Sequence, residues 1–163
     1  MKILSKLVVG LLVIVVLGLV VLRVTGLDPK QRRPGLWLTG NVVTSPVTDW
    51  AFTDKYPTIM IQTNTPYMIP HSVTINCVSY MGHMYLHSTF PAGMPSPSGK
   101  SWTSALARDP RVRIKVADQL YDRTATPVTD QAELAHLNEA AAKKFPQTPA
   151  AKGAIVYYFR VND

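Results

Sequence analysis

The hydrophobic pattern of this chain changes period twice. From Leu7 to Leu22, sixteen consecutive positions carry no charged side chain, and Lys2 and Lys6 stand in front of them. Val8 to Leu22 is apolar on every side of a helix rather than on one stripe, so it does not read as an ordinary surface helix. At about 1.5 Å per residue, and counting Ile3 and Leu4, the run reaches across a hydrocarbon core of about 30 Å. A secretory signal has similar flanks, but the exit Val21-Leu22-Arg23-Val24-Thr25-Gly26 puts large residues where a signal peptidase needs small ones. The reading is an uncleaved membrane anchor over residues 1–24, single-pass and of the bacterial inner-membrane type. Between Asp28 and Pro34, two prolines, a glutamine and three basic residues predict a juxtamembrane linker over residues 25–35.

After the linker the pattern becomes that of strands. Leu36 to Val43 and Thr58 to Thr63 are rich in β-branched and aromatic residues and are bounded by Pro, Gly, Asn and Asp. Ser72 to Val78 alternates polar and apolar positions, and Met84 to Ser88 follows the turn Tyr80-Met81-Gly82-His83, which predicts a hairpin with one dry face. Pro91 to Ser98 is a loop. A short helix from Ser101 to Arg108 is stopped by Asp109-Pro110, because proline pushes its predecessor out of the helical region. Val112 to Ala117 and Leu120 to Val128 form a second hairpin around Asp118-Gln119. The one long helix, Gln131 to Phe145, opens on Asp130 with Glu133 three residues on, a capping-box spacing, and closes at Pro146. Ala154 to Val161 is the last strand. Residues 36–163 therefore read as one α+β domain built on an antiparallel barrel, with one short and one long helix.

Charge changes the picture only near the membrane. The net charge is +7, and residues 1–33 hold six Lys or Arg against Asp28 alone, so +5 of it belongs to the membrane flank. Anionic head groups account for that excess, and no nucleic-acid surface is called for. The two-lysine tail argues for export of the domain and the basic C-terminal flank argues for retention; the tail tips the reading slightly to the extracytoplasmic side. Cys77, the one cysteine, cannot form an intramolecular disulfide and reads as a buried thiol. His83, Tyr85 and His87 share a strand face but lack a third ligand at a recognised spacing, so no metal site is expected.

Five stretches together resemble a known family. They are His83-Met84-Tyr85-Leu86-His87-Ser88, Gly99-Lys100-Ser101-Trp102, Ala107-Arg108-Asp109-Pro110-Arg111-Val112-Arg113-Ile114, Ala125-Thr126-Pro127-Val128-Thr129-Asp130 and Lys144-Phe145-Pro146. In order and spacing they are similar to the FMN-binding split barrels, relatives of pyridoxamine 5′-phosphate oxidase and of deazaflavin-dependent nitroreductases, over roughly residues 58–161. The resemblance implies a split β-barrel, an FMN or deazaflavin cofactor, a homodimer, and a small-molecule electron donor and acceptor. It implies that Lys100 supplies the charge for the cofactor phosphate, with Ser88, Thr89 and Ser101 as hydroxyl donors, His87 on the same strand, and Trp102 as a cover. On the facing strand it points to His71, Ser72 and Thr74.

Each of these residues also has a plain structural reading: Lys100 as a solvated lysine, Trp102 as the core anchor of its helix, His71 as a satisfied turn histidine. The strand Val73 to Cys77 carries no second phosphate cation, and Arg108, Arg111 and Arg113 are the substitutes the sequence offers. Neither a Ser-His-Asp grouping nor a paired-carboxylate spacing stands out, so catalytic residues stay unassigned. Two functions follow: a membrane-anchored flavin-dependent oxidoreductase, or a non-catalytic split barrel serving as a ligand-binding or accessory subunit of a membrane complex.

Overall fold

The computed structural model describes residues 2–147 and 150–163. Helix α1, Lys2–Thr25, stands apart from the remainder of the chain: its most apolar window has a mean hydropathy of 3.1 and is nowhere buried. By length and composition it can cross a membrane. Beyond it come β1 (Asn41–Val42), a 3-10 helix (Ala51–Lys55), β2 (Ile59–Thr63), β3 (His71–Tyr80), β4 (His83–Phe90), α2 (Ser101–Arg108), β5 (Arg111–Val116), β6 (Gln119–Pro127), α3 (Gln131–Lys144) and β7 (Ile155–Asn162).

Six antiparallel strands run in the order β6-β5-β2-β3-β4-β7, and β6 pairs again with β7, so the sheet closes on itself. Closure removes the two exposed edges an open sheet would carry. This is the α+β antiparallel barrel that the hydrophobic alternation predicts. Ile61, Cys77, Leu86 and Ile114 sit at 0 % exposure in one cluster with Ile59, Met84 and Val116, the period-2 faces of four strands meeting inside the ring. Helix α2 delivers Trp102 and Leu106 to one end of that cluster. Trp50, just before the 3-10 helix, packs edge-on against Tyr121 at 5.0 Å. A second cluster lies outside the ring, where α3 lays Leu137 and Ala141 over Val78, Tyr85 and Tyr158.

Local chemistry explains the joints. Met81 and Gly82, with φ of 50° and 79°, make the β3–β4 turn, the left-handed pair that a tight hairpin twist requires. The Asp130 carboxylate accepts the Glu133 N–H at 2.7 Å and starts α3. At the other end of α3 the Lys144 ammonium donates to Thr53 O at 3.0 Å and pairs with Asp54 at 3.5 Å, pinning the helix to the 3-10 turn. Cys77 is sealed in the core, and burial pushes its thiol pKa up, which keeps it protonated and inert.

The structure departs from the sequence pattern in three places. The second hairpin turns at Ala117-Asp118, one residue earlier than expected, because Ala117 takes the left-handed φ of 53°. Only Asn41–Val42 of the stretch 36–43 is strand, and it pairs in parallel with β6. Gly40 runs against that turn: a Cβ there would lie 2.6 Å from Asp118 O. Residues 26–39, finally, are packed down as a strap. Leu27 and Leu36–Trp37 pair by backbone hydrogen bonds of 2.8 Å, Gly35 exchanges two with Ser72 at 2.9 and 3.1 Å, and Asp28 binds Lys115 at 2.5 Å.

Ile114→Ala is expected to cost about 2–5 kcal/mol, the range for truncating a fully buried aliphatic side chain. Ile155→Ala, at a half-exposed site, should stay within about 0.5 kcal/mol. Denaturant midpoints of the detergent-solubilised chain measure both.

Candidate functional site in the split between β3 and β4

The β3–β4 ladder runs from Tyr80↔His83 to Asn76↔His87 and stops there. Beyond it β3 stays on β2 as far as His71, while β4 stays on β7 as far as Phe90. Two strands that neighbour each other in the ring therefore part, and a wedge opens between His71–Ile75 and Ser88–Phe90. The start of α2 fills the mouth of the wedge. The Lys100 ammonium donates to Thr89 O at 2.6 Å and lies 5.0 Å above the Phe90 ring. Trp102, 5 % exposed, descends into the core against Phe159 at 5.5 Å.

Two adjoining cavities result. One, of about 260 Å³, is lined by Thr74, Ile75, Asn76, His87, Ser88, Thr89, Lys100 and Trp102. The other, of about 540 Å³, shares Thr74, Ile75, Lys100 and Trp102 and adds Val73, Gly99, Ser101 and the strap residues Gln31–Pro34. The two walls bring three cations together, Lys100, Arg32 and Arg33, and not one carboxylate. The cavities carry a positive field into a partly desolvated space, where a fixed charge counts for more than in bulk water.

Of the residues that the sequence singled out, Thr74, His87, Ser88, Thr89, Lys100, Ser101 and Trp102 line these cavities. His71 and Ser72 line neither. His71 Nδ1 lies 3.5 Å from Ser101 Oγ, and Ser72 is fully buried beneath Gly35 of the strap. Trp102 is both core anchor and cavity wall. His87 stacks between Phe145 at 6.0 Å and Tyr158 at 5.2 Å, and burial, helped by the Lys100 charge, holds its pKa down to about 4. Burial also lowers the pKa of Lys100 and of His71.

Several groups here await a partner. The Ser88 hydroxyl and His87 Nδ1 are buried without a hydrogen bond, and α2 begins at Lys100 with no side-chain cap. An orphaned buried polar atom costs roughly 1–3 kcal/mol, which a ligand with acceptor and donor groups would recover. A phosphate-bearing ligand fits this donor set: a cation, the Ser88 and Ser101 hydroxyls, and the first-turn amides of a helix.

Arg32 and Arg33 escaped the sequence reading, which placed them in the basic membrane flank. The apolar Leu36-Trp37-Leu38 directly behind them was the available sign of a packed segment. Arg108, Arg111 and Arg113, offered there as substitute phosphate partners, are committed elsewhere. Arg108 donates to Asn64 O at 2.9 Å, Arg111 binds Asp109 at 2.8 Å, and Arg113 binds Asp122 at 2.6 Å. The last two line a different cavity of about 540 Å³ with Arg23 and Arg123; Asp122 and Asp163 are in its wall, and Asp163 Oδ1 stands 2.9 Å from Arg123 Nε. Two carboxylates stand against four arginines in that wall, so it too keeps a positive excess, but Arg111, Arg113 and Arg123 are each paired with a carboxylate. No cluster of three or more His, Cys, Asp or Glu able to hold a metal occurs among the described residues.

By sequence the chain matches no family model and no curated protein. By structure it shares its fold with the split barrels. A conserved hypothetical protein from Mycobacterium tuberculosis aligns with a TM-score of 0.50 at 18% identity, over 82% of this chain and 84% of that one. A candidate 5-nitroimidazole antibiotic resistance protein from Bacteroides thetaiotaomicron aligns with a TM-score of 0.50 at 13% identity, over 82% and 90%. An F420-H2 dependent reductase aligns at 0.49 with 21% identity, over 66% and 95%. The first two likenesses establish the fold.

The His87 environment generates a pH prediction. In the unfolded chain the imidazole protonates near 6.5, whereas in the fold it stays neutral down to about 4. Stability should therefore fall as pH drops from 6.5 towards 4, since only the unfolded state gains that proton. His87→Phe keeps the ring stack and removes the titration, so its melting temperature should decline less than the wild type's over that window.

Proposed function

We propose that this chain is a membrane-anchored oxidoreductase that holds a flavin-type cofactor, FMN or a deazaflavin, in the split between β3 and β4. The observation that carries the reading is the wedge itself, with three cations, no carboxylate and orphaned buried donors around it. Its resemblance in sequence to FMN-binding split barrels supports the same assignment. When bound, such a cofactor supplies hydride acceptance and donation.

The chain's own residues bind and orient. Lys100 neutralises the phosphate, with Ser101, Ser88 and Thr89 as hydroxyl partners. Ile75 and the indole edge of Trp102 give the planar ring an apolar wall. His87 stays neutral at physiological pH, so it offers a hydrogen bond rather than a charge. With Cys77 sealed in the core, the protein contributes positioning and electrostatics in place of a nucleophile. A second copy of the chain, implied by the resemblance, covers the open side of the cavities. In this reading α1 anchors the domain at the lipid surface, and the two-lysine tail in front of it supports the extracytoplasmic side. There a lipid-soluble quinone, or a nitro compound of the kind named for the Bacteroides neighbour, serves as electron acceptor.

The purified full chain is expected to show flavin absorbance, or to acquire it on incubation with FMN or a deazaflavin. Lys100→Ala should weaken FMN binding about tenfold, the worth of one charge-assisted contact of roughly 1.4 kcal/mol. A colourless protein that takes up neither compound would instead identify a non-catalytic accessory subunit. Removal of residues 1–25 should release the domain from carbonate-washed membranes, and an active C-terminal alkaline phosphatase fusion would place Asp163 outside the cytoplasm.

A further inference from the structure

We infer that the strap between the anchor and the barrel is part of the ligand site, with Arg32 and Arg33 acting beside Lys100 as a three-cation cradle for the anionic end of a phosphorylated ligand. The inference rests on the flavin reading above and adds to it the binding element that the barrel strands lack.

Two observations point the same way. Arg32 and Arg33 line the larger cavity together with Lys100 and Ser101 at the start of α2. Neither makes an ion pair or a side-chain hydrogen bond among the described residues, whereas Arg111, Arg113, Arg123, Lys115 and Lys144 are each paired with a carboxylate. Arg32 and Arg33 are exposed and Lys100 is half-buried, so the cavity gathers three like charges at its rim, an arrangement that attracts an anion.

The docking itself is specified by other groups. The strap turns at Gln31, with φ of 55°, where Lys30 and Arg33 exchange backbone hydrogen bonds of 3.1 and 2.9 Å. Gly35 lets it lie flat, since a Cβ there would fall 2.1 Å from Leu27 O and 2.7 Å from Ser72 Oγ. Asp28 locks it to Lys115. The arginine side chains are thus spare to the fold, and the docked strap sets both residues in the cavity wall.

Guanidinium forks suit phosphate oxygens bidentately, and three cations exceed what a single phosphate monoester needs. The ligand class is a flavin-type compound with an anionic side chain, one phosphate at least. A lipid head group presents the same chemistry, and the strap leaves the membrane helix only a few residues earlier, so the experiment separates the two sources.

The full chain in zwitterionic nanodiscs is titrated with FMN and with riboflavin, which lacks the phosphate, and flavin fluorescence is followed. Arg32→Ala/Arg33→Ala should weaken FMN binding about tenfold or more and leave riboflavin unchanged, because only charge-assisted contacts to phosphate are lost. Arg32→Lys/Arg33→Lys should restore part of the loss, and the ligand-free melting temperature should match the wild type in both variants. FMN affinity within about twofold of wild type in the alanine variant, with Lys100→Ala still defective, would overturn the strap's role and leave the flavin site standing. If wild type binds none of FMN, riboflavin and a phosphorylated deazaflavin, the flavin reading and this inference fail together. Nanodiscs with anionic phospholipid should leave wild-type FMN affinity unchanged; a loss there confined to chains with both arginines would assign the guanidiniums to head groups and overturn the inference.

Discussion

The organisation of this molecule depends on one divergence: β3 and β4 pair from Tyr80↔His83 to Asn76↔His87 and then follow different neighbours. β3 is held by β2 down to His71, and β4 by β7 out to Phe90, so neither strand end is free to close the gap. A closed ring with a single wedge is stable because the ladder hydrogen bonds lost between the two strands are few and the core beneath remains continuous. Lys100 takes up one vacated position by donating to Thr89 O, and Trp102 seals the floor against Phe159. The same divergence that would weaken a plain barrel makes a cavity with buried polar walls.

Electrostatics separates this wedge from the rest of the surface. Around the other large cavity Arg111, Arg113 and Arg123 are paired with Asp109, Asp122 and Asp163, and Arg23 is the one lining arginine without an ion pair among the described residues. At the wedge Lys100, Arg32 and Arg33 share no carboxylate. Unpaired cations gathered around the half-buried Lys100 favour the approach of an anion, whereas the paired arginines elsewhere do not. The strap carries two of the three charges and continues directly from α1, so one continuous stretch of chain builds the apolar helix and part of the cavity wall.

Much of this was legible in the residues. Alternation in Val73–Cys77 and Val112–Val116 announced strands with a dry face, and burial of Ile75, Cys77, Val112, Ile114 and Val116 follows it. Asp130 with Glu133 marked the start of α3, and Met81-Gly82 marked the hairpin. Lys100, Ser88 and Thr89 line one cavity, and what grouped them beforehand was the resemblance to the split barrels. Ser72 and His71 were read onto the same wall, but Ser72 falls on the face covered by Gly35, and His71 reaches only Ser101. Their neighbours in space are set by which strand β3 pairs with, a non-local fact.

The sequence by itself determined the elements and their faces: an all-round apolar helix, strands of period 2, and turns where glycine or an aspartate-proline step ends a run. These are decided within a few residues by backbone sterics and local hydrophobic contrast, so they survive without knowledge of the partner. Only the tertiary structure decided where β3 leaves β4, which of the arginines are neutralised, and that Gln31–Pro34 lies over the wedge instead of extending through solvent. Each of those depends on contacts between residues far apart in the chain, such as Asp28 with Lys115 and Gly35 with Ser72, whose energies exist only once the ring has closed.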